Sequence, residues 1–343
     1  MNFRFDETTH SQVVELLKQP SRICIIPHHR PDGDALGAAL ALYHLLGQLG
    51  HQVQVVSPSD FPEFLSWMPA SQYVINANEN QPIAREAIRH SEIIFCLDFN
   101  EASRVENLRD ELLHSPAVKI LIDHHLAPQP FCQYIFSFPE ACATCELVYH
   151  FIIQSGFGHL INRQVAECLY TGIMTDSGSF RFPSMTADTH RVIANLIEAG
   201  AVNYRIHENV YDNFSLNRAR FLGYCLREKL TVLPEFRTAY FQITRQELDQ
   251  FQYQNGDTEG IVNYGLGIKG IVLSVLFCEK TDMVKISFRS KDLFSVKDLA
   301  ARHFHGGGHL NAAGGKYFAS LTETVNYFIN LLPQYKDALL ACP

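Results

Sequence analysis

Four short runs of apolar, largely β-branched residues punctuate the first part of the chain: 22–27 (RICIIP), 51–57 (HQVQVVS), 92–97 (EIIFCL) and 117–122 (AVKILI). Helical periodicity fills much of the space between them, at 34–49 and 81–90, and continues at 144–155, 163–175 and 187–199. Strands alternating with helices predict an α/β fold, a mainly parallel sheet flanked by helices. A polar, mixed stretch at 208–229 reads as one more helix, bridging to a second unit. Beyond about 230 the pattern turns to strands, RTAYFQIT, KGIVLSVLFCE and MVKISFRS, then one helix, a glycine-rich loop and a terminal helix. The predicted organisation is a first domain over 1–200, a connecting segment over 201–229, and a smaller α/β domain over 230–343 facing the first across a cleft.

A chain of 343 residues is long for one core, which agrees with two domains. No apolar run approaches the roughly 18–20 residues that span a bilayer, and the N-terminus lacks the basic-then-apolar order of a secretion signal. Nine cysteines are scattered, with Cys24, Cys96, Cys168 and Cys278 inside apolar runs, where a thiol behaves as a small hydrophobe. The CxxC of Cys142 and Cys145 has no second pair to complete a zinc site. A reducing cytoplasm is therefore expected, with no membrane partner. The net charge of −8 argues against a long nucleic acid, whose binding needs a basic surface. An anionic ligand would be small and phosphorylated, met by bound cations and a few arginines.

Candidate chemistry gathers where the predicted strands end. PHHRPDGDALGA places His28, Asp32 and Asp34 after the first run; FCLDFN places Asp98; the fourth run ends at Asp123, His124 and His125. In open parallel sheets the ligand crevice lies beyond the carboxyl ends of the strands. Singly, each residue reads as readily as a turn or cap residue, and Asp34 could simply cap the helix that follows. Together, carboxylates converging on one edge would repel one another unless cations lie between them. Carboxylates and imidazoles without thiolates suit Mn²⁺ or Mg²⁺, in numbers sufficient for two cations. Two such ions can activate water and stabilise a phosphoryl group during in-line displacement. Asp176, in TDSGSFRF, closes a predicted helix beside a glycine turn, an equally good structural reading.

These motifs, His28 with Asp32 and Asp34 (HxxxDxD), Asp98, Asp123–His124–His125 and Asp176, together with GGGHLNAAGG at 306–315, resemble the DHH phosphoesterase family. The likeness is to its stand-alone nanoRNase and phosphoadenosine-phosphate phosphatase branch, and it spans nearly the whole chain. The one departure is TDSG where many members have TDTG. The resemblance implies two divalent cations, Mn²⁺ before Mg²⁺. His28, Asp32 and Asp98 would hold one, and Asp34, Asp98, His124 and Asp176 the other, with Asp98 bridging. Asp123 would orient a histidine and His125 would face the substrate phosphate. In the second domain, successive glycine amides at Gly306, Gly307 and Gly308 beside His309 could cradle an anion. Arg289 could grip a phosphate or lie on the surface; the resemblance favours the former, with Lys291 and Arg181 as companions. The implied activity is hydrolysis of oligonucleotides of two to four units, of 3′-phosphoadenosine 5′-phosphate, or both. A linear or cyclic dinucleotide second messenger is an alternative substrate, and a non-catalytic nucleotide-binding regulator an alternative of another class. A homodimer is expected for the family.

Overall fold

Buried on both faces, the apolar runs near the N-terminus form strands that show no in–out alternation. They belong to a computed structural model describing residues 3–254 and 256–343, which divides into two units at Asn213 and Phe214. The first unit holds β1 (Arg22–Pro27), β2 (Gln52–Ser57), β3 (Ile75–Asn76), β4 (Ile93–Leu97), β5 (Val118–Asp123) and β6 (Tyr134–Ser137). All pair in parallel, in the order β3-β2-β1-β4-β5-β6. Strand order reverses between β1 and β4, which puts the switch point of a doubly wound sheet between the segments that follow Pro27 and Leu97. The α/β class expected from the pattern is thus the observed one.

Among the described residues, eight helices accompany this sheet: α1 (Glu7–Leu16), α2 (Gly33–Gln48), α3 (Gln81–His90), α4 (Arg109–His114), α5 (Thr144–Gln154), α6 (Arg163–Asp176), α7 (Ala187–Glu198) and α8 (Asn203–Tyr211). Most of α2 is buried, and its small residues let α6 come close. On α6, a Cβ at Gly172 would lie 2.2 Å from Cys145 Sγ and 2.9 Å from Asp34 Oδ1. Glycine there lets the side chains of Cys145 and Asp34 pack directly against the α6 backbone.

The stretch 208–229 is not one connector. Helix α8 ends at Tyr211, and a new helix, α9 (Leu216–Tyr224), begins at Ser215, whose side chain accepts from Arg218 N. A wider π turn, Cys225–Lys229, continues α9. The local cap outweighs the helical propensity of the flanks.

The second unit contains β7 (Leu230–Leu233), β8 (Thr238–Ile243), α10 (Arg245–Gln250), α11 (Ile261–Leu266), β9 (Leu273–Glu279), β10 (Val284–Ser290), α12 (Val296–His303), β11 (Gly307–Gly308), β12 (Ala312–Tyr317) and α13 (Leu321–Ala341). Its sheet runs β11-β12-β10-β9-β8-β7 and is mixed, with only β8 and β9 parallel. Phe277, Ile286 and Phe288 bury one face together with residues of α12 and α13. Phe241, Leu276 and Cys278 bury the other with α9, α10 and α11, a core that takes in no residue of β10, β11 or β12 among the described residues.

The predicted glycine-rich loop is a β-hairpin. Gly307 pairs with Gly314 and Gly308 with Ala313, closed by His309 N donating to Ala312 O at 2.7 Å. A Cβ on Gly306 would stand 2.0 Å from Gly314 O, so the glycines admit a neighbouring backbone. Among the described residues, no helix is long and apolar enough to cross a membrane.

Candidate metal centre

Each donor follows from where a strand stops. Pro27 closes β1 and His28 comes next; Leu97 closes β4 and Asp98 turns the chain with φ 64°, a left-handed conformation in which Asp is among the better tolerated side chains. Asp98 N donates to Ile122 O on the adjacent strand at 3.1 Å, which fixes this turn. Asp123 ends β5, and His124 and His125 follow it. Asp32 caps α2, its Oδ1 accepting from Asp34 N and Ala35 N at 3.0 and 3.1 Å, which leaves Asp34 in the first helical turn, buried. Asp176 is the last residue of α6, followed by three consecutive left-handed residues, Gly178, Ser179 and Phe180.

The structure brings six of these together. Donor atoms of His28, Asp32 and Asp98 lie within 4.8 Å of one another, as do those of Asp34, His124 and Asp176. Asp98 touches both groups: its Oδ2 is 3.5 Å from His28 Nε2 and its Oδ1 3.5 Å from His124 Nε2. His124 Nε2 also lies 3.6 Å from Asp176 Oδ2 and 3.9 Å from Asp34 Oδ2, and His28 Nε2 lies 4.0 Å from Asp32 Oδ1.

The hydrogen bonds behind the imidazoles test whether cations fit. His28 Nδ1 sits 2.9 Å from His29 O, and His124 Nδ1 3.1 Å from Ala141 O. A carbonyl accepts only, so each Nδ1 carries the proton and Nε2 is the ring atom turned toward the carboxylates. Separations of 3.5–4.0 Å are longer than hydrogen bonds but match two donors sharing an ion at about 2.1 Å each. The donor set fits hard divalent cations.

Electrostatics without an ion tell the same story. Burial, then the charges of Asp98 and Asp176, push Asp34 well above the usual carboxylate range. Burial would raise Asp98 too, but His28 beside it, with His125 and His124, holds it below that range. For His28, burial opposes the charged form, yet Asp98 and Asp32 raise it above an ordinary imidazole. In His124 burial is likewise overcome, by Asp98 and Asp34. Carboxylates crowded in this way attract cations.

Asp123 is fully buried, and its Oδ1 accepts from His125 Nδ1 at 2.7 Å. The histidine it orients is therefore His125, whereas His28 and His124 are held by backbone carbonyls. Thr144 was not singled out in the sequence, and Cys145 was weighed there only as part of a CxxC. Thr144, fully buried at the start of α5, donates its N–H to Asp34 Oδ2 at 2.6 Å and its Oγ1 to Asp98 Oδ1 at 2.8 Å. Cys145 N adds a bond to Asp34 Oδ1 at 2.8 Å. The N-terminus of α5, with its partial positive charge, thus holds one carboxylate with two amides. The only sequence signal was the start of a helical pattern near 144. The Cys145 thiol donates to Asp34 O at 3.4 Å, and burial pushes both CxxC thiols up; no cysteine joins a candidate metal group among the described residues.

The remaining candidates lie apart from this cluster in the chain. Exposed Arg181 turns its Nε onto Gly178 O at 2.7 Å in the loop after Asp176. Half-buried Arg289 is on β10, its Nη1 bonded to Phe288 O at 2.9 Å, and Lys291 follows that strand. The expected amide cradle at Gly306–His309 is partly spent inside the fold, since Gly306 N donates to Ala300 O and His309 N to Ala312 O. A hairpin needs those donors for its own register, so an anion there would meet fewer free amides than the glycine run suggested.

A doubly wound sheet with carboxylates and imidazoles at its switch point, followed by a smaller mixed-sheet unit, defines a two-unit α/β protein with a candidate metal centre. The family model described as "DHH family, N-terminal domain" matches residues 22–173, and that of the "DHHA1 domain" matches 238–333. The chain is 30% identical over 303 residues to the bifunctional oligoribonuclease and PAP phosphatase NrnA of Thermus thermophilus, covering 88% of this chain and 86% of that one. It is 25% identical over 310 residues to the protein of the same name from Bacillus subtilis, covering 90% and 93%. A solved structure of an exopolyphosphatase-related protein from Bacteroides fragilis superposes with a TM-score of 0.95 at 38% identity, covering 97% of this chain and 98% of that one. The chain belongs to the DHH family of phosphoesterases.

Proposed function

We propose that this phosphoesterase hydrolyses very short nucleotides, oligonucleotides of two to four units and 3′-phosphoadenosine 5′-phosphate, using two divalent cations with Mn²⁺ preferred. The observation that carries the reading is the pair of imidazoles, His28 and His124, whose Nε2 atoms face carboxylates across 3.5–4.0 Å from either side of Asp98. The names of the Thermus and Bacillus relatives support the substrate class. His28, Asp32 and Asp98 would hold one cation, and Asp34, Asp98, His124 and Asp176 the other. When bound, such cations offset the charge of the phosphoryl oxygens and make water a better nucleophile.

The chain's own residues do the rest. Thr144 and the α5 amides keep Asp34 and Asp98 in place, so that no reorganisation is needed when substrate arrives. Asp123 accepts the Nδ1–H of His125 and fixes the orientation of its ring. Nε2 of His125 would then be the proton donor. As water attacks phosphorus and the ester P–O bond breaks, the leaving oxygen takes a proton from His125. A nucleoside hydroxyl and a phosphate monoester, or inorganic phosphate, are the products. Arg289, Arg181 and the β11–β12 hairpin would contact substrate phosphates.

The test is incubation of the full chain with a labelled dinucleotide, 3′-phosphoadenosine 5′-phosphate, a cyclic dinucleotide and inorganic polyphosphate, with Mn²⁺ or after chelation. Metal-dependent release of mononucleotide and phosphate from the first two is expected. Cleavage of polyphosphate alone, or binding of nucleotide without turnover, would overturn the reading.

A further inference from the structure

One face of the second unit's sheet is packed by α9, α10 and α11 over β8 and β9, with α11 reaching β10, and beyond them it carries a pattern unlike the rest of this acidic chain. Strand β10 buries Val284, Ile286, Phe288 and Ser290; on its other side Lys285 is exposed and Ser287 and Arg289 are half-buried. Across the ladder, Lys285 pairs with Lys316, Ser287 with Gly314 and Arg289 with Ala312. Paired residues share a face, so two ammonium groups stand directly opposite each other with Cβ atoms about 5 Å apart, an arrangement that destabilises a sheet unless an anion lies between. Neither lysine forms an ion pair among the described residues, although acidic residues outnumber basic ones by 36 to 28.

Between the lysine pair and Arg289 the floor has little side-chain relief: Ser287, Gly314 and Ala312, with Gly307 opposite Gly314 on the next strand. Beyond Lys316, Phe318 is 64% exposed, its ring 5.8 Å from Lys316 Nζ and 6.0 Å from the His305 ring. An exposed phenylalanine costs solvation, and here it adjoins cations on a flat floor. Basic side chains interleaved with an open aromatic are the recognition chemistry of single-stranded nucleic acid, in which cations track phosphates and bases stack on rings.

We propose that Lys285, Lys316 and Phe318 form a distal subsite for an oligonucleotide, taking a phosphate between the lysines and a base on the phenylalanine. The inference rests on the reading of the chain as a short-oligonucleotide hydrolase and deepens it. Lys285 lies four residues from Arg289 along one strand, roughly 13 Å. At about 3.4 Å per stacked nucleotide, that span is about four units. A dinucleotide anchored near Arg289 falls short of the subsite, and a tetranucleotide reaches it. The face is thereby a gauge that rewards the longer of the short substrates.

The experiment compares wild type, K285A/K316A and F318A on a dinucleotide and a tetranucleotide of the same base. It adds binding of a fluorescent tetranucleotide to the metal-depleted full chain at several salt concentrations. The ratio of kcat/KM for tetranucleotide over dinucleotide is expected to fall roughly tenfold or more in each variant, the scale of one base–aromatic stack. The slope of log affinity against log salt should become less negative by about 0.7 in the double lysine variant, the value for one phosphate contact on a single strand. Parallel losses on both lengths, or an unchanged ratio and slope, would overturn the subsite. Failure of the wild type to cleave either length would instead sink the hydrolase reading, while the salt slope still decides whether the lysines meet phosphate.

Discussion

The strand-end edge of the first unit and the open sheet face of the second solve opposite problems. At the edge, Asp34, Asp98 and Asp123 are almost completely buried and held by bonds of 2.6–2.8 Å from Thr144, Cys145 and His125. On the face, Lys285 and Lys316 are long, solvated side chains without an ion-pair partner among the described residues. Groups that take part in bond making must be fixed before substrate binds, whereas groups that choose among substrates need only reach. Removing an edge residue should therefore abolish turnover, and removing a face residue should change preference.

The largest effect belongs to the shared carboxylate. Asp98→Asn should eliminate measurable hydrolysis of every substrate, because one residue answers two imidazoles and, in the proposed centre, two cations. Retained turnover above a hundredth of wild type would break the contrast between edge and face.

His125→Ala should lower kcat by roughly 10²–10³-fold, the scale for one transition-state donor, with metal content retained. His124→Ala should lose metal. Steady-state kinetics beside metal analysis separates the two, and the opposite pattern would reverse the roles of these adjacent histidines.

Thr144→Val removes the hydroxyl bonded to Asp98 and leaves a buried carboxylate oxygen short of a donor, at a cost of about 1–3 kcal/mol. Expected readouts are weaker Mn²⁺ binding by calorimetry and a lower Tm, with Thr144→Ser restoring both. Equal behaviour of Val and Ser variants would mean that the helix amides alone hold the pair.

These predictions rest on a site only partly legible in the sequence. Strands β1, β4 and β5 were readable because strands buried on both faces are unbroken apolar runs, and the residues after them carry the donors. Thr144 was not, since its importance arises only when α5 lands on a residue 110 positions earlier. The β11–β12 hairpin hid for a different reason. Glycine and alanine have no strand propensity, and their pairing depends on backbone approach that a pattern of side chains cannot reveal. The break at 212–215 turned on a single serine cap inside a helical pattern.

On the face, Arg289→Ala should lose about 1.5–3 kcal/mol in kcat/KM on a dinucleotide or 3′-phosphoadenosine 5′-phosphate. The loss on a small artificial phosphodiester, which reaches only the metals, should be smaller. Equal losses would move Arg289 from selection to chemistry.

The smallest effect concerns the second unit's stability. Glu247 accepts from Lys229 Nζ, Tyr224 OH and Thr244 N at 2.5–2.8 Å. Burial would raise its carboxyl, but Lys229, Tyr224 and Thr244 together hold it down to about 2. A depressed carboxyl stabilises the fold above its unfolded value, about 4.3, and the gain is lost as pH falls toward 2. Glu247→Gln should thus cost about 1 kcal/mol at pH 7, a difference from wild type that shrinks over that acid window in denaturant melts.

The central claim is that the strand ends of the first unit hold two cations through one shared carboxylate. Equilibrium dialysis of the full chain against Mn²⁺, with folding checked by circular dichroism, measures this directly. Two ions per wild-type chain and a loss at both sites in Asp98→Asn are the predicted result. Two tightly bound ions in a well-folded Asp98→Asn chain, or none in the wild type, would contradict it.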